Sequence, residues 1–321
     1  MSLCGGASDG EGASDGGEEA RPKKGGEGPA LSPPSRPDPV SSRLIALSSP
    51  PLPPHSLPSY YTVPFHCYPA GNLTWDAAWE VDASARAVHA PVMDPRPSAQ
   101  AVLSPDGDAA LRAGISAAAR GLMTSADVDP DALASAVDVG VSTGLSAREL
   151  ARAFPGLAYI TGVDLSPHML AVAAHQTAAR PLPRGVPLSL RHAAFEAGDG
   201  GGLADGGVDL VNVVLVTHEC PRHVSAAFLA QAWRVLRPGG VVVVADMDPA
   251  SPAFARLAAN PFALAGFASS EPHLAHWVAL GFASDARGPG LEEVARGMGF
   301  VGVGTAPATP RHSAMVAVKP R

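Results

Sequence analysis

Short apolar runs, each bounded by glycine, proline or charge, alternate along this chain with segments of helical period. The longest run, 208–216, is broken only by Asp209 and Asn212 and reads as a strand buried on both faces of a parallel sheet. Similar runs at 134–138, 157–163, 186–193, 241–245, 300–304 and 313–318 predict further strands. The helices between them carry end signals. Residues 72–81 start at a cap, Asn72 or Thr74, and set Trp75 and Trp79 on one face at i, i+4. An alanine-rich helix is expected near 108–123. Ser146 to Glu149 has the spacing of a capping box, and Pro155-Gly156 ends that helix. Ser166-Pro167 opens another, with Met169, Leu170 and Val172 turned inward. Residues 226–236 precede a turn at Arg237-Pro238-Gly239-Gly240, and 291–298 are closed by Gly299. Strands and helices in alternation, with short connections, predict an α/β fold with a doubly wound, mostly parallel sheet.

The front of the chain breaks this rhythm. Residues 1–58 are mostly glycine, serine, proline, alanine and charge, too poor in apolar surface to offset the entropy of ordering, and are expected to be disordered. Residues 59–125 read as a helical extension, opening with an aromatic cluster from Tyr60 to Tyr68, and 126–319 as the main α/β domain. A formal net charge of -7 argues against nucleic acid as a partner. No apolar run is long enough to span a bilayer. Three scattered cysteines, Cys4, Cys67 and Cys220, suit a reducing compartment better than a disulfide framework. The acidic N-terminus lacks the apolar segment of a secretory signal. A cytoplasmic or plastid-stromal, non-secreted protein is therefore expected.

The stretch from Asp138 to Asp164 carries the chemistry. Gly140 and Gly144 allow a tight strand-to-helix turn. A dinucleotide fingerprint fails, because Ser142 and Leu145 stand where its other glycines belong, and no Gly-Lys-Ser/Thr follows to make a P-loop. A nicotinamide-dependent oxidoreductase is disfavoured on that spacing. Asp138, two residues before Gly140, is expected at the mouth of the pocket, where it would repel phosphate and suit a cation. S-adenosylmethionine meets those terms: it has no phosphate, carries an ammonium and a sulfonium, and offers a ribose diol for a second carboxylate, Asp164.

These residues resemble the first motif and following acidic strand end of class I S-adenosylmethionine-dependent methyltransferases, usually Asp/Glu-x-Gly-x-Gly-x-Gly, with Ser142 replacing the middle glycine. Val208-Asp209-Leu210-Val211 and Leu236-Arg237-Pro238-Gly239-Gly240 look like later landmarks of that fold. Pro64-Phe65-His66, Gly71-Asn72-Leu73, Trp75, His218-Glu219-Cys220-Pro221, Glu271-Pro272 and Pro310-Arg311-His312 resemble the type 11 methyltransferase-like branch of photosynthetic organisms. The resemblance implies a seven-stranded Rossmann-like sheet with only the last strand antiparallel, and front helices covering the cofactor. It places Asp138, Gly140, Ser142, Gly144 and Asp164 at the cofactor, with Leu165 under the adenine, Val213 near the methionine end and Glu196 a candidate for the adenine amino group.

His218 and Glu219 stand past a central strand, in the crevice where open α/β sheets bind ligands, and are candidates for a general base or for orienting the substrate. They do not make a zinc motif: Arg222 occupies the place of the second histidine and Pro221 interrupts the helix it would need. His273 and His276 lack partners at metal-ligand spacing, and no metal is expected. Tyr61, Phe65, His66 and Trp75 are the candidate substrate contacts. The implied function is methyl transfer to a small, partly apolar acceptor. The alternative is a scaffold or binding protein that keeps the fold without the transfer.

Overall fold

The computed structural model of the protein describes residues 57–96, 100–286 and 288–321. All but the last two residues of the segment expected to be disordered, 1–58, lie outside them. Strands β1 (Ser135–Val139), β2 (Tyr159–Asp164), β3 (Leu188–His192), β4 (Val208–Val214), β5 (Leu236–Met247), β6 (Val301–Pro307) and β7 (His312–Val318) form one sheet in the order β3-β2-β1-β4-β5-β7-β6. The pairs β1–β2, β1–β4, β2–β3 and β4–β5 are parallel, while β7 runs antiparallel to both β5 and β6. The sheet is mixed, and its antiparallel pairings all involve the last strand, as the resemblance implies.

Helices α1 (Trp75–His89), α2 (Gly107–Ser125), α3 (Leu145–Ala153), α4 (Pro167–Ala179) and α5 (Arg222–Val235) lie near their sequence-predicted places. Thr74 caps α1 by accepting from the Ala77 amide at 3.1 Å, and Ser166 caps α4 in the same way from Met169 at 3.2 Å. Helices α6 (Pro252–Ala258), α7 (Pro261–Ser270) and α8 (Leu274–Leu280) were not anticipated, and α9 (Leu291–Gly297) follows them. Ser251-Pro252 and Asn260-Pro261 are the missed signals: both side chains accept first-turn amides, and each proline sits where its lacking N–H costs nothing. None of the helices among the described residues is long and apolar enough to cross a membrane. Cys220 is a buried free thiol.

Two expectations need correction. The Ser146–Glu149 capping box does not form: Gly144, at φ 93°, is the N-cap of α3, Ser146 lies inside the helix, and Glu149 pairs with Arg152 at 2.6 Å. The Arg237–Gly240 turn is instead an irregularity within β5, where pairing to β4 jumps from Val208↔Leu236 to Leu210↔Val241.

The period of two along each strand sorts side chains onto two faces. Val137, Val139, Val211, Val213, Val242 and Val244 pack with Phe228, Leu229, Leu291 and Ala295. Ala136, Leu210, Val241 and Val243 pack on the opposite face with Leu150, Phe154 and Leu170. Asp138 and Asn212, paired across β1 and β4, share the parity of Ala136 and Leu210. The chain moves away from β1 in both directions, through β2 to β3 and through β4 to β5, so β1 and β4 flank the switch point where ligands bind in such sheets.

Asp209 ties the opposite end of these central strands together. Its carboxylate accepts from the Ser135 amide at 2.9 Å and the Ser135 hydroxyl at 2.6 Å, and it meets the Arg237 guanidinium. Burial works against the charge, but the Ser135 and Arg237 contacts hold the carboxyl below its ordinary range. Asp209→Ala should therefore lower unfolding free energy by about 2–3 kcal/mol at neutral pH, read by urea denaturation, because charge-assisted acceptors are lost. With a folded pKa below 3.8, the contribution is present above that value and lost as pH falls through the folded one, so wild type and variant should converge in acid.

Candidate functional site

The turn after β1 spends its donors on itself. Gly140 and Val141 donate to the Val163 carbonyl at 2.8 and 3.2 Å, Gly144 donates to the Val141 carbonyl at 2.8 Å, and Ser142 donates to Asp164 Oδ2 at 2.8 Å. A phosphate would find these amides already engaged. Gly140 has φ 66°, and a Cβ there would lie 2.5 Å from Val216 Cγ2. Ser142 takes φ 49°, a left-handed conformation that favours glycine, with its hydroxyl 3.5 Å from Met169 Sδ.

Both predicted carboxylates are buried at this turn. Asp138 is fully buried and accepts from Ser146 Oγ at 2.6 Å and Asn212 Nδ2 at 2.8 Å. It is not at the pocket mouth as expected, because strand parity turns it onto the sheet face beneath α3. There Ser146 and Asn212 also line a small hollow with Arg112 and Glu149. Burial raises the Asp138 carboxyl to about 6, against the pull of its two hydrogen bonds and of the Arg112 charge, and Asp164 adds repulsion. Asp164 is raised too, by burial, although the Ser166 and Ser142 amides each donate to it at 2.8 Å. Among the described residues neither carboxylate forms an ion pair with lysine or arginine.

The front segment closes on the same acids. The Tyr61 hydroxyl is hydrogen-bonded to Asp164, and burial, Asp164 and Glu219 all push it well above its ordinary range. Tyr60 donates to Glu196 Oε1 at 2.5 Å. Asp82 of α1 takes the Thr143 hydroxyl at 2.5 Å and Gln176 of α4 at 3.1 Å, fixing α1 against the turn. Leu165 is 9% exposed beside Asp164, whereas the Val213 side chain is fully buried in the apolar layer over α5. Trp75 packs edge-on to His168, ring centroids 5.0 Å apart, beside Met169 and Val172. It is thereby set apart from the acceptor-side candidates.

His218, Glu219 and His66 do come together. His218 Nδ1 lies 2.8 Å from Asp246 Oδ1, and Asp246 also accepts from Thr217 Oγ1 at 2.6 Å. Burial opposes the His218 charge, yet Asp246, Glu271 and Glu219 raise it to about 10. His66 Nε2 lies 3.0 Å from Glu271 Oε1 and 3.6 Å from Glu219 Oε1. Against the cost of burial, those two acids carry it up to about 9. Glu219 is itself raised by burial, with both histidines pulling it back. Phe65, 2% exposed, packs edge-on against His66 with centroids 5.0 Å apart. Asp246 and Glu271 were missed as site residues. A carboxylate at the C-terminal end of a central strand was the available signal for Asp246, while Glu271 is the C-cap of α7, an unanticipated element.

Residues 137–244 match the methyltransferase domain family. That span runs from β1 to β5 and holds Asp138, Ser142, Asp164 and Glu219. Similar solved structures include a Haemonchus contortus phosphoethanolamine N-methyltransferase 2 in complex with S-adenosyl-L-methionine, 18% identical over 59% of this chain and 49% of that one, TM-score 0.43. Others are the CurJ carbon methyltransferase, 13% identical over 76% of this chain and 60% of that one, TM-score 0.49, and an Aquifex aeolicus SAM-dependent methyltransferase, 15% identical over 58% and 81%, TM-score 0.37. The chain spans about half the length of the Haemonchus contortus enzyme. No curated protein matches the sequence.

Because His218 owes its proton to neighbouring acids, Asp246→Asn should bring its pKa down by more than one unit, followed by imidazole NMR. In the wild type the raised value means that the pair stabilises the fold fully below about 6.5, with loss as pH rises through about 10. Melting temperature should accordingly decline across that window, less steeply in the variant.

Proposed function

We propose that the chain is an S-adenosylmethionine-dependent methyltransferase acting on a small, partly apolar acceptor. The observation that carries the reading is the turn after β1: the amides of Gly140, Val141, Ser142 and Gly144 are already engaged, and beside it stand two buried carboxylates raised by burial, neither in an ion pair with a described lysine or arginine, although Arg112 favours the charge of Asp138 from a distance. Such a place fits a ligand that brings positive charge and hydroxyl donors and does not fit a pyrophosphate. Asp164 is the acceptor for a ribose diol, Asp138 the buried charge that favours the cationic methionine end, and Leu165 and Glu196 the adenine contacts. The match of residues 137–244 to the methyltransferase domain family supports the same assignment.

When bound, the cofactor supplies an electrophilic methyl group: the acceptor's lone pair forms the new bond, and the carbon–sulfur electron pair leaves with sulfur in S-adenosylhomocysteine. The protein's part is to align the acceptor, exclude water and handle a proton. Tyr61, against both Asp164 and Glu219, lies between the cofactor and acceptor sides. Asp246 orients His218 through Nδ1, leaving Nε2 on the Glu219 side at 4.0 Å from Oε1. His218 and Glu219 are thus the groups placed to accept or hold a proton. The buried free thiol of Cys220 fits a reducing compartment.

Isothermal calorimetry tests the reading. S-adenosylmethionine and S-adenosylhomocysteine should bind and NAD should not; binding of NAD alone overturns it. Asp164→Ala should weaken the cofactor at least tenfold. With Asp138 titrating near 6, arrival of a cation should release up to about half a proton per site at pH 6 and almost none at pH 8, read from the dependence of the heat on buffer ionisation. Formation of S-adenosylhomocysteine with an acceptor panel separates an enzyme from a silent scaffold.

A further inference from the structure

The acceptor side holds a buried atom with no partner. Glu271 is 6% exposed, its Oε1 faces His66 Nε2 at 3.0 Å, and its Oε2 has no hydrogen-bond partner among the described residues. Leaving such an oxygen unbonded costs about 1–3 kcal/mol, more when charged, so a ligand that satisfies it recovers that energy. Around it stand His66, Glu219, His218 and Asp246, joined in a chain of contacts at 3.0, 3.6, 4.0 and 2.8 Å. His66 and Glu219, with side chains 33% and 22% exposed, form the open end, and Asp246, at 0%, is the floor.

We propose that this cluster is the binding site for a primary or secondary amine, held as its ammonium by Glu271 Oε2 and Glu219. The cluster has three acids to two histidines, and no lysine or arginine belongs to it. A carboxylate or phosphate acceptor would add to that surplus. An alcohol could satisfy Oε2 and would leave the surplus uncompensated. An ammonium answers both, since it donates N–H and brings one positive charge. Phe65, buried and packed edge-on against His66, fixes that imidazole at the open end of the cluster.

An ammonium has no lone pair and must lose a proton before it can act as a nucleophile. Glu219 is placed to take that proton as a carboxylate, becoming the neutral acid while the amine becomes neutral. Burial raises Glu219, which favours the protonated form it would then adopt. This assignment rests on the methyltransferase reading for the fate of the amine, and on the cluster alone for its binding.

Three probes sharing a phenyl ring and a two-carbon arm decide it: phenethylamine, 2-phenylethanol and phenylacetate, each titrated at millimolar concentration into the full chain while the His66 imidazole signals are followed by NMR. Titrations run with and without S-adenosylhomocysteine. Phenethylamine should shift the His66 signals and bind at least tenfold more tightly than the alcohol, and phenylacetate should not bind. Glu271→Gln should cost phenethylamine at least tenfold while S-adenosylhomocysteine affinity, measured by calorimetry, stays within twofold. Equal binding of amine and alcohol, tighter binding of phenylacetate, no binding of any probe, or full retention in Glu271→Gln overturns the proposal. Should Glu271→Gln not fold, the three-probe comparison on the wild type still decides. Failure of S-adenosylhomocysteine to bind the wild type sinks the cofactor reading instead, and the titrations without it continue to test the amine site.

Discussion

A carboxylate buried beneath a tight turn is costly, and much of this structure is arranged around that cost at Asp138. Its rise from an ordinary 3.8 to about 6 corresponds to about 3 kcal/mol against the charged form. Two neutral dipoles, Ser146 and Asn212, offset the cost only in part. Those dipoles come from α3 and β4, so the carboxylate also clips together three elements that converge at the switch point. Moving any of them would strand Asp138, which ties the geometry of the turn to the integrity of the sheet. A cation close by would lower the remaining cost, and this makes the position informative about its ligand.

The front of the chain completes the arrangement. Asp82 on α1 grips Thr143 in the turn and Gln176 in α4, while the Ser166 hydroxyl donates to the Asn72 carbonyl at 2.6 Å. These bonds hold the residues before and within α1 over the ends of β1 and β2. Tyr60 and Tyr61 are thereby delivered to Glu196 and Asp164, one hydroxyl for each acid. The segment from Tyr60 to His66 then continues to the acceptor side, where the His66 amide donates to the Ser270 carbonyl at 3.0 Å. One short stretch of chain therefore lines both halves of the site.

The strands were legible because buried parallel strands are written as continuous apolar runs, and the run around Val211 leaves little else for that segment to be. The turn was legible through Asp138, Gly140 and Gly144, whose spacing already argued against phosphate. The orientation of Asp138 was available and overlooked: it shares strand parity with Ala136, and Ala136 faces the α3 side. Ser146 misled because serine three residues before a glutamate caps helices often, while here its hydroxyl serves a carboxylate from another element. Helices α6 to α8 are short and interrupted by proline and glycine, so no window carries a full helical period. Glu271 could not be read as a site residue at all. Its meaning comes from His66 at the other end of the fold, a juxtaposition that only tertiary structure makes.

Charge is what distinguishes this crevice more than shape. Burial, and then the charges of Asp164 and Glu219, raise the Tyr61 hydroxyl. Two like charges at about 4 Å in an environment of effective dielectric 20 repel by about 4 kcal/mol, against about 1 kcal/mol for an ordinary hydrogen bond. An anionic group close to Asp164 would meet that repulsion, while on the other side His66 and His218 offset part of the charge of Glu219, Glu271 and Asp246. Positive ligands meet the reverse balance, and each also draws the buried acids towards their charged forms. The sign of the charge a ligand brings therefore weighs on its fit from the start, and the same physics that makes these carboxylates expensive to bury favours a ligand that carries positive charge.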